Sequence, residues 1–229
     1  MKRPVLLFRA SLALATLSGC SREQAAPPPT PFDLIDHLDG AEVVPAAAAA
    51  DASPGERLLF VEGFEDPAEV ARWRVHPWRG RATGARTDVE PHAGGHAYTV
   101  TAADPDGADA ELMRFVPVEP STRYRFTGHV RADRLAPKDA RIHGTYYLGE
   151  FADRDQANPH LHRELPSYDR TSPGWQRLEY VFTTQPFTRL VKIAGSLGNW
   201  GRATGSVQFD DIALSRVATP GELDRKSVV

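Results

Sequence analysis

Val207–Leu214 reads VQFDDIAL. Val207 and Phe209 alternate with polar neighbours, and Ile212 and Leu214 resume a period of two, which marks a strand with one face toward a core. Asp210 and Asp211 interrupt the pattern. Adjacent carboxylates in a strand cost free energy through desolvation and mutual repulsion unless a cation or hydrogen-bond donors compensate them. Their counterpart is expected far upstream, in Phe60–Asp66, FVEGFED.

Working outward, strand signals recur at Leu58–Val61, Gly84–Glu90, Ala97–Ala102, Leu112–Val118, Tyr124–Arg131, Arg141–Phe151, Leu178–Thr184 and Leu190–Leu197. Ala68–Arg74 offers a turn of helix ending near Trp73. Short strands, frequent Gly and Pro, and almost no long helical periodicity argue for an all-β domain, a two-sheet β-sandwich.

The GFE-type segment at Gly63–Glu65 and the FDDI-type strand at Phe209–Ile212 lie about one domain length apart. Between them come the turn Pro91-His92-Ala93-Gly94-Gly95 and the pair Gly174-Trp175 ahead of a strand. In this order they resemble the CenC-like and xylanase-associated carbohydrate-binding modules of the galactose-binding-like superfamily, over Arg57–Val217. The resemblance implies a jelly roll, a glycan held on a concave sheet face, and a structural calcium ion. Glu65, Asp210 and Asp211 would then supply carboxylates and Gly95 a carbonyl, Asp211 being the awkward member because consecutive strand residues face opposite ways. Without an ion, the same residues read as a strand-end turn and as charges that protect sheet edges. Trp73 and Trp175 fall where the family packs the ends of its sandwich.

The 229 residues carry a net charge of -3, which argues against a general nucleic-acid partner. No GxSxG, P-loop or HExxH motif occurs, so the residues offer no recognisable hydrolytic centre and the chain reads as non-catalytic. Ala103–Ala110 is acidic but lacks the EF-hand spacing and reads as a solvated turn. His160, His162 and Glu164 stand close enough in sequence to suggest a transition-metal site, although two incidental loop histidines explain them better.

Alternation assigns Phe126, Val130, Ile142, Tyr146, Leu148, Val191 and Ile193 to the core. The opposite faces then carry Arg125, His129, Arg131, His143, Tyr147 and Lys192, with Trp200 past a strand end. If these strands share one glycan-binding face, it is cationic, and an acidic polysaccharide is the expected ligand because guanidinium groups pair with carboxylate and sulfate. Trp78 and Trp200 lie in Gly-flanked polar stretches where an indole could stack on a sugar ring or simply cover a sheet edge.

Residues 1–20 have a basic start, a short apolar run and Leu17-Ser18-Gly19-Cys20, which resembles a bacterial lipobox. Cys20 is the chain's one cysteine, so no internal disulfide forms, and acyl chains on it would anchor the protein to a membrane. Ser21 after the cysteine favours the outer membrane of the cell envelope, if the host has one. Residues 21–56 form a Pro- and Ala-rich tether with a helix-like stretch around Phe32, 57–217 the domain, and 218–229 a polar tail. The expected role is a surface-anchored, non-catalytic carbohydrate-binding lipoprotein. The alternatives are a binding module of a larger glycoside hydrolase or sulfatase, with a catalytic partner domain, and a structural, partner-binding lipoprotein. Replacing Cys20 by Ser is expected to move the protein from the detergent-extracted membrane fraction to the soluble one without loss of the folded domain; retention in the membrane would refute lipidation.

Overall fold

The computed structural model describes residues 56–138, 146–153, 158–165 and 174–218. Cys20, the tether as far as residue 55, the stretch around Phe32, Ile142, His143 and tail residues 219–229 lie outside them. Twelve elements follow in chain order: β1 (Glu56–Glu62), α1 (Pro67–Val70), β2 (Arg74–Arg79), β3 (Ala82–Thr87), β4 (Ala97–Ala102), β5 (Asp109–Pro117), β6 (Arg123–Pro137), β7 (Tyr146–Phe151), β8 (Leu161–Glu164), β9 (Gln176–Thr183), β10 (Leu190–Leu197) and β11 (Ala203–Val217). They form two antiparallel sheets. One runs β3-β4-β11-β6-β9 with β1 also paired to β11, and the other runs β2-β5-β10-β7-β8.

β11 has to serve two neighbours on one edge. Its first half pairs with β4 through Phe209↔Tyr98, and its second half pairs with β1 from Ile212↔Glu62 onward. At the changeover the register with β6 jumps from Asp210↔His129 to Ala213↔Thr127. One extra residue is thus inserted, and Asp211 takes φ 45° to accommodate it. The bulge shifts the phase of alternation, so Val207, Phe209, Ile212 and Leu214 all reach the core and are fully buried. The interruption seen in VQFDDIAL is this bulge.

The core lies between the sheets. Tyr146 of β7 packs edge-on against Phe126 of β6 and Phe209 of β11, at ring separations of 4.9 and 5.4 Å, and its hydroxyl donates to the His129 carbonyl at 2.9 Å. At one end, Phe64 and Phe60 pack on Trp73, confirming that indole as structural. There the buried Glu62 accepts from the Phe64 amide at 2.7 Å and from Trp73 Nε1 at 3.0 Å, and it lies 3.6 Å from Arg114. Burial raises the Glu62 carboxyl above its usual range, while these donors and the guanidinium pull the other way.

The strands read from sequence are present among the described residues, and β4 and β10 match to the residue. Two were missed. β2 carries Pro77 and polar residues, and β8 is four residues long; both are edges of the five-stranded sheet, where one ladder of hydrogen bonds suffices and the hydrophobic pattern is weak.

Gly195 of β10 marks a close approach of the sheets, since a Cβ there would lie 2.4 Å from the Phe209 ring. Gly195→Ala is expected to cost about 1–3 kcal/mol in denaturant unfolding through overpacking. Phe209→Leu in the same chain should recover part of that loss, giving a measurable coupling in the double-mutant cycle.

Candidate functional site

A groove of about 350 Å³ opens on the outer face of the five-stranded sheet. Its floor is built by β5, β10 and β7, whose residues are buried on both faces. Met113, Phe115, Tyr147, Phe151, Leu190 and Ala194 form a second apolar cluster there, separate from the core between the sheets. Set into this cluster, Lys192 Nζ donates to Glu111 at 2.7 Å and sits 4.5 Å from the Tyr147 ring centre and 5.7 Å from that of Trp78. The charges therefore neutralise each other within the floor.

Two indoles line the groove from different elements. Trp78 is the extra residue of a bulge in β2, between Pro77↔Ala110 and Arg79↔Asp109, and it packs edge-on against His76 with ring centres 4.4 Å apart. Trp200 lies in the turn after β10, where Gly198, Asn199 and Trp200 all have positive φ. Such a backbone is costly for a bulky residue and is held here by the buried Asp109, which accepts from the Asn199 amide at 3.2 Å. Trp78 and Trp200 are 52% and 59% exposed despite their size. The Asn199 side-chain nitrogen, also in the groove lining, is buried without a hydrogen-bond partner among the described residues. Asn158 and His162 line the opposite side, His162 with its ring centre 5.1 Å from that of Tyr147.

Of the residues expected to bind, Trp78, Tyr147, Lys192 and Trp200 are brought together in this groove. Arg125, His129 and Arg131 are not: they stand on β6, in the other sheet. Alternation placed them correctly on an outward face, but alternation within a strand carries no information about which sheet the strand joins. Arg125 lies 3.0 Å from Glu56 and 3.3 Å from Glu179, and Arg131 pairs with Glu90. The expected cationic face is therefore split between two sheets, and its arginines are committed to carboxylates. Sequence reasoning missed Asp109, Glu111 and Asn199. Asp109 had been read as part of a solvated turn, whereas it is buried at the start of β5, and burial raises its carboxyl.

The two acidic segments do meet, at the seam where β11 exchanges β4 for β1. Gly63 approaches both aspartates, a Cβ on it lying 3.5 Å from Asp211 Oδ1 and 4.0 Å from Asp210 Oδ1. The loop between β3 and β4 crosses the outer face of β11. Gln208 donates to the Val89 carbonyl at 3.2 Å, Asp210 Oδ2 accepts from the His92 amide at 2.9 Å, and Asp210 Oδ1 accepts from the Asp211 amide at 2.8 Å. Asp210 is fully buried, and its carboxyl is pushed up to about 7 by burial first and by Asp211 second, against the pull of those amides. His92 Nδ1 lies 2.6 Å from Asp211 Oδ2, and its ring stacks on His129 with centres 3.6 Å apart. Burial, then the neighbouring His92, lowers His129 to about 4.

At this seam nitrogen donors already meet the Glu65 carboxylate expected to take calcium. Glu65 Oε1 accepts from the Gly95 amide at 2.7 Å and the His96 amide at 3.0 Å, so Gly95 presents N–H to Glu65. His96 Nδ1 lies 2.8 Å from Glu65 Oε2, and this contact above all lowers the Glu65 carboxyl. Arg86 donates to the Glu65 carbonyl at 2.9 Å, putting a cation beside the expected ligand. Gly94 has φ 63°, and a Cβ there would fall 2.2 Å from Glu65 Oε1, so the turn is shaped to bring amides onto the carboxylate. His160 and His162 also separate: His160 turns to Thr188 at 3.1 Å, while His162 faces the groove.

No family model matches the chain, and no curated protein matches it in sequence. Solved structures do. The CBM22-1 xylan-binding domain of Paenibacillus barcinonensis Xyn10C is similar with a TM-score of 0.50 at 14% identity, over 73% of this chain and 99% of that one. The CBM22-1–GH10 modules of Clostridium thermocellum Xyn10B, complexed with xylohexaose, give 0.51 at 10% identity over 71% of this chain. The enzymatically active domain of bacteriophage CBA120 tailspike protein 4 gives 0.48 at 13% identity over 68%. The chain spans 29% of the xylanase chain and 20% of the tailspike chain. The fold is the jelly-roll β-sandwich of carbohydrate-binding modules.

Calcium added to chelator-treated protein is expected to leave the melting temperature unchanged. A rise would show that an ion bound only by the folded state displaces the amide contacts at Glu65.

Proposed function

We propose that this chain is a non-catalytic glycan-binding module that takes a predominantly neutral polysaccharide into the groove on the five-stranded sheet, and that lipidated Cys20 holds it at the cell envelope. The carrying observation is the pair of exposed indoles, Trp78 and Trp200, lining one groove with a self-neutralised Lys192–Glu111 floor. Indole faces stack on the apolar faces of pyranose rings, and fixed polar groups set the orientation. The unpartnered Asn199 amide and the paired charges supply such groups for hydroxyls. An acidic glycan would favour a groove of net positive charge, whereas here Lys192 is bound to Glu111 and the other cation of the lining, Arg79, is offset by the nearby carboxylate of Asp109. The likeness to a xylan-binding domain makes xylan the first probe.

The test is a glycan array with the full-length chain, followed by calorimetric titration. Trp78→Ala and Trp200→Ala should each weaken binding at least about tenfold, about 1.4 kcal/mol. Arg125→Ala, on the opposite sheet, should leave it unchanged. Undiminished binding by the double tryptophan variant would move the site out of the groove, and a preference for sulfated or uronic-acid glycans would overturn the neutral assignment.

A further inference from the structure

On the other sheet, away from the groove, we propose that His92, His129 and Asp211 form a binding site for a transition-metal ion of the zinc class. The three come from separate elements: the loop between β3 and β4, the middle of β6, and the bulge of β11. One potential ligand atom from each lies within 4.8 Å of the other two. Zinc binds imidazole nitrogen and carboxylate oxygen at about 2.0–2.2 Å, so an ion among these atoms reaches all three once the side chains turn toward it. The donor set decides the class. Two imidazoles with one carboxylate suit zinc, copper, nickel or cobalt, whereas calcium and magnesium require oxygen shells.

Three further features support an ion there. The imidazoles are already neighbours, stacked 14° apart with centres 3.6 Å from one another, and binding one ion through both turns the rings out of this stack. His129 Nδ1 is buried with no hydrogen-bond partner among the described residues, a polar atom that the protein fold alone leaves unsatisfied. The bulge gives Asp211 its left-handed backbone, which lets its carboxylate reach His92 beside the neighbouring Asp210. Asp210 in turn holds the His92 amide at 2.9 Å, the kind of outer contact that orients a ligand. Trp175 walls the site, edge-on to His92 at 5.9 Å and anchored through Nε1 to the Glu90 carbonyl. Arg177, opposite His129 on β9, is a cation that opposes positive charge there, and it lies 2.5 Å from Glu179. Three protein ligands leave one tetrahedral position for water.

The experiment uses the purified full-length chain, freed of metal by a chelator and titrated with zinc chloride. One ion per chain should bind, and the melting temperature should rise by roughly 5–10 °C at a hundredfold excess over Kd. Cobalt(II) should give the visible absorption of a four-coordinate nitrogen–oxygen site. His92→Gln, Asp211→Asn and His129→Gln should each weaken zinc at least about tenfold, with folding confirmed by circular dichroism. His96→Gln and Cys20→Ser should bind as the parent does. If His129→Gln fails to fold, His92→Gln on its exposed loop and Asp211→Asn decide the matter. Absence of a thermal shift in the parent, or full-strength binding by His92→Gln, overturns the proposal. Glycan binding is read separately at Trp78 and Trp200, so either proposal can fail alone.

Discussion

One extra residue in β11 constrains everything around it. A strand that pairs with β4 along its first half and β1 along its second needs a break where the partners exchange, and the Asp210–Asp211 bulge supplies it. Without the shift in phase, Phe209 and Ile212 could not both face the core, because a regular strand sends residues an odd number apart to opposite sides. The bulge leaves two carboxylates on the outward side of a six-stranded sheet. Amides of the β3–β4 loop answer that cost: those of His92 and Ala93 cap Asp210, while Gln208 and Trp175 pin the carbonyls of Val89 and Glu90. The loop is ordered by the acids, and the acids are tolerated because of the loop.

The five-stranded sheet follows a different logic. Its central strands are buried on both faces, which normally implies a covering layer, yet the outer cluster around Phe115, Tyr147 and Phe151 opens into a groove. An apolar floor interrupted by one internally compensated ion pair keeps its shape without a ligand. Lys192 and Glu111 satisfy each other, and the Lys192 ammonium lies over the Tyr147 ring. The strain is placed at the groove's margin, in the positive-φ run through Asn199 and Trp200, where it fixes an indole that a relaxed turn would not hold in place.

How much of this the sequence discloses depends on the range of the interaction. Period-two alternation is local, so the central strands and the inward residues Phe126, Val130, Tyr146, Leu148, Val191 and Ile193 could be read directly. The pairing of FVEGFED with VQFDDIAL was legible because two unusual acidic segments needed compensation. What compensates them was not, since the donors are backbone amides whose direction no side-chain letter records. Sheet membership was equally hidden. Arg125 and Tyr147 both point outward from alternating strands, but hydrogen-bond pairing sends β6 to one sheet and β7 to the other. Trp78 was noticed for its composition, while the bulge that aims it sits in an edge strand disguised by Pro77.

The zinc-class site proposed above draws on the same seam. Arg86 and His96 occupy the neighbourhood of Glu65, so a hard dication there would meet a guanidinium and inward-pointing amides. A few residues earlier in the same loop the balance reverses. His92 and His129 bring ring nitrogens to the carboxylate of Asp211, and the Asp210 contact that orients His92 is already in place. The distance between these two environments is a few residues of a single turn. On that proposal, substitution at His92 removes one ligand of the ion without changing the bulge that created the turn.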